Sequence, residues 1–303
     1  MRTILRARSI GQIACGALES LKPGFVGEIA DSFSNSFYIR TTNDDLVFVT
    51  RGDLKSPITV NLDSIVDFEH ALEPLGPVFY DQAKLRVGDG LAINLSGASI
   101  QPSQPDLSTL QIGQLRDALY IATTILGIVD TDESVLDSGS IAYHGAEQFV
   151  LTGILSLRDS GDSEPFRKTV KQIVGLGGGF TPSGDDLLAG FLATYNSLSR
   201  VVNRPKILID FEFLKKSTSW ISAKLLDYMQ RGAFDDQVAH FIQSIGSANE
   251  DEFIIALESL LPRGHTSGVD IAVGSVLAVA LLLDLADNGH ETETIIHRLG
   301  LSS

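Results

Sequence analysis

The residues best suited to chemistry form one run, Gly175-Leu176-Gly177-Gly178-Gly179-Phe180-Thr181-Pro182-Ser183-Gly184-Asp185-Asp186. Four glycines in five positions open backbone angles closed to other residues and let a ligand approach the main chain. Thr181 or Ser183 stands where a side chain caps a following helix, and Asp185 and Asp186 fall in its first turn. N–H groups at such a helix start attract anions. The run is not a Walker loop, because no Lys-Ser/Thr pair follows the glycines. It is not the dinucleotide fingerprint either, because the segment before it reads as helix rather than strand.

A second copy lies downstream. Ser183-Gly184-Asp185-Asp186-Leu187-Leu188-Ala189-Gly190 aligns with Ser267-Gly268-Val269-Asp270-Ile271-Ala272-Val273-Gly274. Gly-Phe-Thr precedes one copy and Gly-His-Thr the other, with Pro182 as an extra residue in the first. In each, an Asp sits in the first helical turn, and a Gly four residues on shares its face, where another backbone can approach. Two such starts facing each other would bring Asp186 and Asp270 to one centre. The candidate catalytic residues are Asp186, Asp270 and His265. His265 suits an acid, base or donor, although a structural histidine fits equally well. The ligand-binding candidates are Gly177, Gly178, Gly179, Thr181, Ser183, Gly184, Asp185, Thr266, Ser267 and Gly268.

The carboxylates pose an electrostatic problem. A carboxylate beside a bound phosphate repels it unless a cation lies between. Mg²⁺ links one or two carboxylates to phosphates, so Mg²⁺ on Asp186 and Asp270 is one expectation. Asp185 reads as a loop-shaping residue. Arg263, just before the second copy, is a cation able to neutralise an anion. The plain alternative is an ordinary acidic helix start that suits the dipole. Glycines are costly without a use, and the repeat adds weight to function. Arg167, Lys168 and Lys171 read as a solvated helix face, His144 as structural, and Cys15 as a buried thiol.

These motifs need elements to hold them. The first hundred residues read as short strands punctuated by turns. Phe25 to Ile29, Ser36 to Arg40, Leu46 to Thr50, Ile58 to Leu62, Lys84 to Val87 and Leu91 to Leu95 are strands. The loops at 41–45 and 88–90 close hairpins, and a short helix near Ile10 to Ser20 precedes them. After Gln101-Pro102-Ser103-Gln104-Pro105 the period becomes helical. Helices are expected over Leu110 to Gly127, Ile141 to Arg158, Pro165 to Val174, Asp185 to Leu198 and Leu214 to Gln230. Four more span Asp235 to Ile245, Glu250 to Leu260, Gly268 to Ala286 and Glu291 to Leu299. The fold class is therefore α+β, with a β-rich N-terminal barrel or sandwich over 1–105 and a mainly α-helical part over 106–303.

The bulk numbers narrow the function. Of the 303 residues, 44% are apolar and 20% charged, an ordinary globular balance. A net charge of −15 argues against nucleic-acid or membrane-surface partners. The single cysteine excludes an intrachain disulfide, and a reducing cytoplasm is the expected compartment. The apolar stretch from Ile271 to Leu283 is shorter than the roughly 20 residues of a membrane span and reads as a buried helix.

The run at 175–186 resembles the signature of a bacterial family whose best-labelled members are the AllH-type subunits of oxamate carbamoyltransferase, from anaerobic allantoin and purine catabolism. The family also carries the turn that is Thr266 to Asp270 here. It usually has Leu at the position of Phe180 and often Pro within the glycine run. The β-then-helical layout extends the resemblance over most of the chain. It implies a transferase that interconverts oxalurate plus phosphate with oxamate plus carbamoyl phosphate and contains several different subunits. Carbamoyl phosphate or oxamate would then be the small anionic partner, and other carbamoyltransferase subunits the protein partners. The resemblance assigns no catalytic residues. Two other readings stay open: a Mg-dependent hydrolase or phosphotransferase using the paired aspartates, and a non-catalytic ligand-binding or scaffold subunit.

Overall fold

The computed structural model describes residues 3–63, 67–68, 72, 76–88, 90–101, 115–127, 134–138, 140–161, 163–245 and 249–301. The chain divides into two compact units. One comprises Met1–Pro105 with Ala233–Asp236, the other Asp106–Gly232 with Gln237–Ser303.

In the first unit the strands are β1 (Thr3–Gly11), β2 (Gly24–Phe33), β3 (Ser36–Thr41), β4 (Leu46–Thr50), β5 (Thr59–Leu62), β6 (Pro77–Asp81), β7 (Lys84–Val87), β8 (Leu91–Asn94) and β9 (Ser99–Gln101). Helix α1 (Gln12–Glu19) follows β1. The sheet order is β5-β4-β3-β2-β6-β7-β8-β1, and β1 pairs back onto β5 to close eight strands into a barrel, with β9 alongside β1. Pairing is mixed: β1 runs parallel to β8 and β4 parallel to β5, while β2 to β3 and β7 to β8 are antiparallel. Closure removes the unpaired edges that an open sheet would expose. Alternation fills the barrel, with Phe37, Ile39, Val26, Val49, Leu85 and Ile93 all buried in one cluster.

The choice between barrel and sandwich thus falls to barrel. The closing strand β1 was absent from the sequence expectations, as were β6 and β9. In β1, Leu5 and Ala7 point in while Arg6 and Arg8 point out, an alternation masked by the arginines.

The second unit holds eleven α-helices among the described residues. They are α2 (Leu115–Leu126), α3 (Ile141–Gln148), α4 (Leu155–Asp159), α5 (Ser163–Ile173), α6 (Ser183–Leu198), α7 (Phe211–Ser217), α8 (Trp220–Gln230), α9 (Asp236–Ile245), α10 (Glu250–Leu260), α11 (Ser267–Asp287) and α12 (Glu291–Arg298). A π-helical turn, Phe149–Ile154, joins α3 to α4. Helices α6 and α11 form the centre and are buried on nearly every face. Helix α11 is long and apolar enough to cross a membrane, yet 89% of its most apolar window is buried inside the fold. A helix apolar all round is a core helix when protein surrounds it.

Glycines set how closely α6 and α11 approach. A Cβ at Gly190 would lie 2.0 Å from the Ile271 carbonyl oxygen, and one at Gly274 would lie 2.0 Å from the Leu187 carbonyl oxygen. Leu187 and Ile271 are equivalent positions in the two copies, so the contact is reciprocal about a local twofold.

The expected helix Leu214 to Gln230 is in fact two. Thr218 is extended and Ser219 caps α8, its side chain accepting from the Ser222 N–H. Of the expected helix Leu110 to Gly127, residues 110–114 lie outside the described residues. So do the stretch Pro102 to Pro105 and Asp89 of the second hairpin loop.

Candidate functional site

The site grows from two copies of one helix-turn-helix device. In the first, α5 ends at Ile173, the Leu176 N–H returns to the Ile173 carbonyl (3.1 Å), and the Gly184 N–H bonds the Leu176 carbonyl (2.9 Å). In the second, α10 ends at Leu260, the Arg263 N–H returns to the Leu260 carbonyl (3.0 Å), and the Gly268 N–H bonds the Arg263 carbonyl (3.0 Å). A Cβ at Gly184 would sit 2.1 Å from the Ile173 carbonyl oxygen, and one at Gly268 2.0 Å from the Leu260 carbonyl oxygen. Each glycine therefore lets the incoming turn close on the end of the helix before it.

The two openings meet. The Thr181 hydroxyl lies 3.3 Å from that of Ser267, and the Ser183 hydroxyl 3.4 Å from that of Thr266. Each contact pairs a threonine of one copy with a serine of the other. The first hydroxyl, on Thr181, also donates to Asp186 Oδ2 at 2.8 Å. On the Asp270 side, Oδ1 accepts from the Ser134 hydroxyl (3.0 Å) and the Val135 N–H (2.8 Å). Asp270 Oδ2 is sealed from solvent and has no partner in hydrogen-bond geometry among the described residues. The Ser183 and Thr266 hydroxyls stand close enough to favour the Asp270 charge.

Burial dominates the titration of this pair. It pushes Asp186 up to about 7, against the Ser267 and Thr181 hydroxyls, with the Asp270 charge raising it further and Arg263 lowering it. Asp270 rises to about 6, again through burial, opposed by the Val135 N–H and three nearby hydroxyls. An isolated carboxylate loses hydration when buried, so the neutral form gains. The effect of the Asp270 charge on Asp186 places the two carboxylates in one electrostatic centre. Among the described residues, no group of three or more His, Cys, Asp or Glu side chains is placed to hold a metal.

Asp185 points elsewhere. Its Oδ1 accepts from the Gly175 N–H at 2.7 Å, and its Oδ2 accepts from the hydroxyls of Thr218 and Ser222. Burial raises its pKa, and these three donors oppose the rise. Gly175 takes a left-handed φ of 81°, and Gly177 and Gly179 do so too. The carboxylate of Asp185 therefore anchors the entry to the glycine turn onto the break between α7 and α8.

Two expectations need revision. Neither Thr181 nor Ser183 caps α6: the N-cap position is Pro182, with no side-chain cap bond. The threonine hydroxyl is drawn instead to the carboxylate of Asp186. The first-turn amides are also engaged, since the N–H groups of Asp185 and Asp186 both bond the Pro182 carbonyl, and that of Asp270 bonds the Thr266 carbonyl. Amides without a main-chain acceptor among the described residues lie one turn earlier, at Gly177, Gly178 and Gly179, on an exposed loop. His265 is exposed beside the second opening and makes no hydrogen bond to the aspartates.

Sequence reasoning missed Ser134, Val135, Thr218 and Ser222. The Ser217-Thr218-Ser219 cluster is the local sequence signal for the helix break that brings Thr218 and Ser222 to Asp185. Ser134 and Val135 lie far from both copies in sequence, and no spacing rule connects them to Asp270.

Residues 173–279 match the model of a protein family described as oxamate carbamoyltransferase subunit AllH. The matched span opens at the end of α5 and includes both helix openings. No solved structure matches the chain.

Proposed function

We propose that this chain is a subunit of a carbamoyltransferase of the oxamate type and receives a small anion, carbamoyl phosphate or oxamate, at the Gly177–Gly179 turn. The observation that carries the reading is the meeting of two matched helix openings inside the family-matched span, with exposed, unbonded glycine amides at one of them. Main-chain N–H groups held by a rigid scaffold suit an anionic oxygen and cost no reorganisation when charge develops on it. Arg263 brings a positive charge to the same centre.

The reaction implied by the family moves a carbamoyl group between the nitrogen of oxamate and an oxygen of phosphate. Both reactants carry an anionic end and a planar amide-type end. The glycine turn fits the anionic end. Asp186 and Asp270 supply acceptors facing the same centre, and Asp185 fixes the turn without touching ligand. Association with other carbamoyltransferase subunits, and a place in allantoin catabolism, follow from the family reading.

Calorimetric titration of the full chain with carbamoyl phosphate, inorganic phosphate and oxamate tests this. Saturable binding of at least one of them, weakened tenfold or more in Gly178→Val with the fold retained, is expected. No binding of any of the three, or equal binding by the variant, contradicts the reading.

A further inference from the structure

Two buried carboxylates, Asp186 and Asp270, lie close enough to act on each other's surroundings at the starts of α6 and α11, and among the described residues Arg263 is the cation that acts on Asp186. Asp270 is wholly buried and Asp186 is 7% exposed. Buried negative charge in such surroundings is costly unless it is paired. Asp270 Oδ2 makes the deficit specific: it is an acceptor cut off from water, and no donor among the described residues reaches it in hydrogen-bond geometry, although the Ser183 and Thr266 hydroxyls lie near the carboxylate. Four hydroxyl oxygens surround the two carboxylates, those of Thr181, Ser183, Thr266 and Ser267.

We propose that Asp186 and Asp270 hold one hard divalent cation of the Mg²⁺ type between the two helix openings, with the Thr181, Ser183, Thr266 and Ser267 hydroxyls completing an oxygen shell. Three observations support it. The donor set is all oxygen, which hard cations select over nitrogen and sulfur. Neighbouring oxygens lie 2.8, 3.3 and 3.4 Å apart, near the spacing of about 3.0–3.4 Å expected between adjacent ligands of Mg²⁺ or Ca²⁺. The orphaned Asp270 oxygen gains the positive partner it lacks. Each opening contributes one carboxylate, one serine and one threonine, so the local twofold passes through the cation position.

The cation also removes the repulsion between these carboxylates and an anion at the glycine turn. That bridging step rests on the proposed function, whereas the cation site itself does not.

The full chain, freed of metal with a chelator, is titrated with Mn²⁺ at pH 8, followed by electron paramagnetic resonance, and with Mg²⁺ by calorimetry. One equivalent is expected to bind, at least tenfold more weakly in Asp186→Asn and in Asp270→Asn. Thr181→Val and Ser267→Ala, which keep both charges, weaken binding by a smaller factor and serve if an Asn variant fails to fold. No uptake of Mn²⁺ or Mg²⁺ at millimolar concentration overturns the site, as does unchanged affinity in all four variants. Carbamoyl phosphate is then titrated with and without Mg²⁺. Anion binding without metal binding removes the cation and leaves the anion reading standing. Metal binding without anion binding upholds the cation and removes the anion reading.

Discussion

The two helix openings share a scaffold and differ in what they add to it. Both have a glycine that lets the turn close on the preceding helix, an aspartate one turn in, and a glycine at the α6–α11 crossing. These shared features position the pair. The first opening adds Gly177–Gly179 and replaces the buried Val269 of the second with Asp185, anchored by three donors. The common residues build the frame, while the additions of the first copy shape a surface turn.

The largest effect is expected at the crossing. Gly190→Ala and Gly274→Ala each place a Cβ about 2 Å from a carbonyl oxygen of the other helix. Each is expected to cost more than about 3 kcal/mol, measured by urea denaturation, and by similar amounts. A cost at one position only would mean that the two copies do not bear equally on each other.

Next in size is Asp185→Val, which writes the second copy's residue into the first. It leaves the Gly175 N–H and the Thr218 and Ser222 hydroxyls without their acceptor. Buried donors left unpaired cost about 1–3 kcal/mol each where water cannot replace the partner. A total loss of about 2–4 kcal/mol is expected, with faster hydrogen exchange at Gly175 to Phe180. A neutral substitution would show that the first opening does not depend on its anchor.

Asp186→Asn removes a charge that both openings have in common. The Asp186 pKa is raised from 3.8 to about 7 in the folded chain. The folded state therefore holds its proton more tightly than the unfolded state, and stability falls as pH rises from about 4 to about 7. Above pH 7 the penalty is complete, at most about 4 kcal/mol for a shift of this size. In metal-free buffer the Asn variant should melt higher than the parent at pH 8 and near the parent at pH 4. A variant less stable at pH 8 would mean that the carboxylate is well compensated as an anion. The smallest stability effect is expected of Gly178→Val, within about 0.5 kcal/mol, because the residue is exposed and its φ is not left-handed.

Much of this frame was legible in the sequence. The repeated Ser-Gly-x-Asp-x-x-x-Gly pattern carries both the close crossing and the aspartate positions, since the four-residue spacing fixes one helix face. Alternation at Phe37 and Ile39 gave the strands. Barrel closure was not legible, because it depends on β1 pairing with β5 some fifty residues away. The role of Ser134 and Val135 was hidden for the same reason: hydrogen bonds to Asp270 across more than 130 residues leave no local trace. The engagement of the first-turn amides was also invisible, since it follows from how tightly each turn folds back on its own carbonyls. That is why, of the ligand-binding candidates, the glycines before the helix start rather than its first-turn amides carry the proposed anion site.

The most direct test is an amide NMR titration of the full chain with carbamoyl phosphate. The earliest and largest shifts are expected on Gly177, Gly178 and Gly179, with smaller ones at Thr266 and Ser267. Shifts that cluster instead around Arg167, Lys171 and Leu208, which line a separate cavity of about 200 Å³, would contradict the proposed anion site.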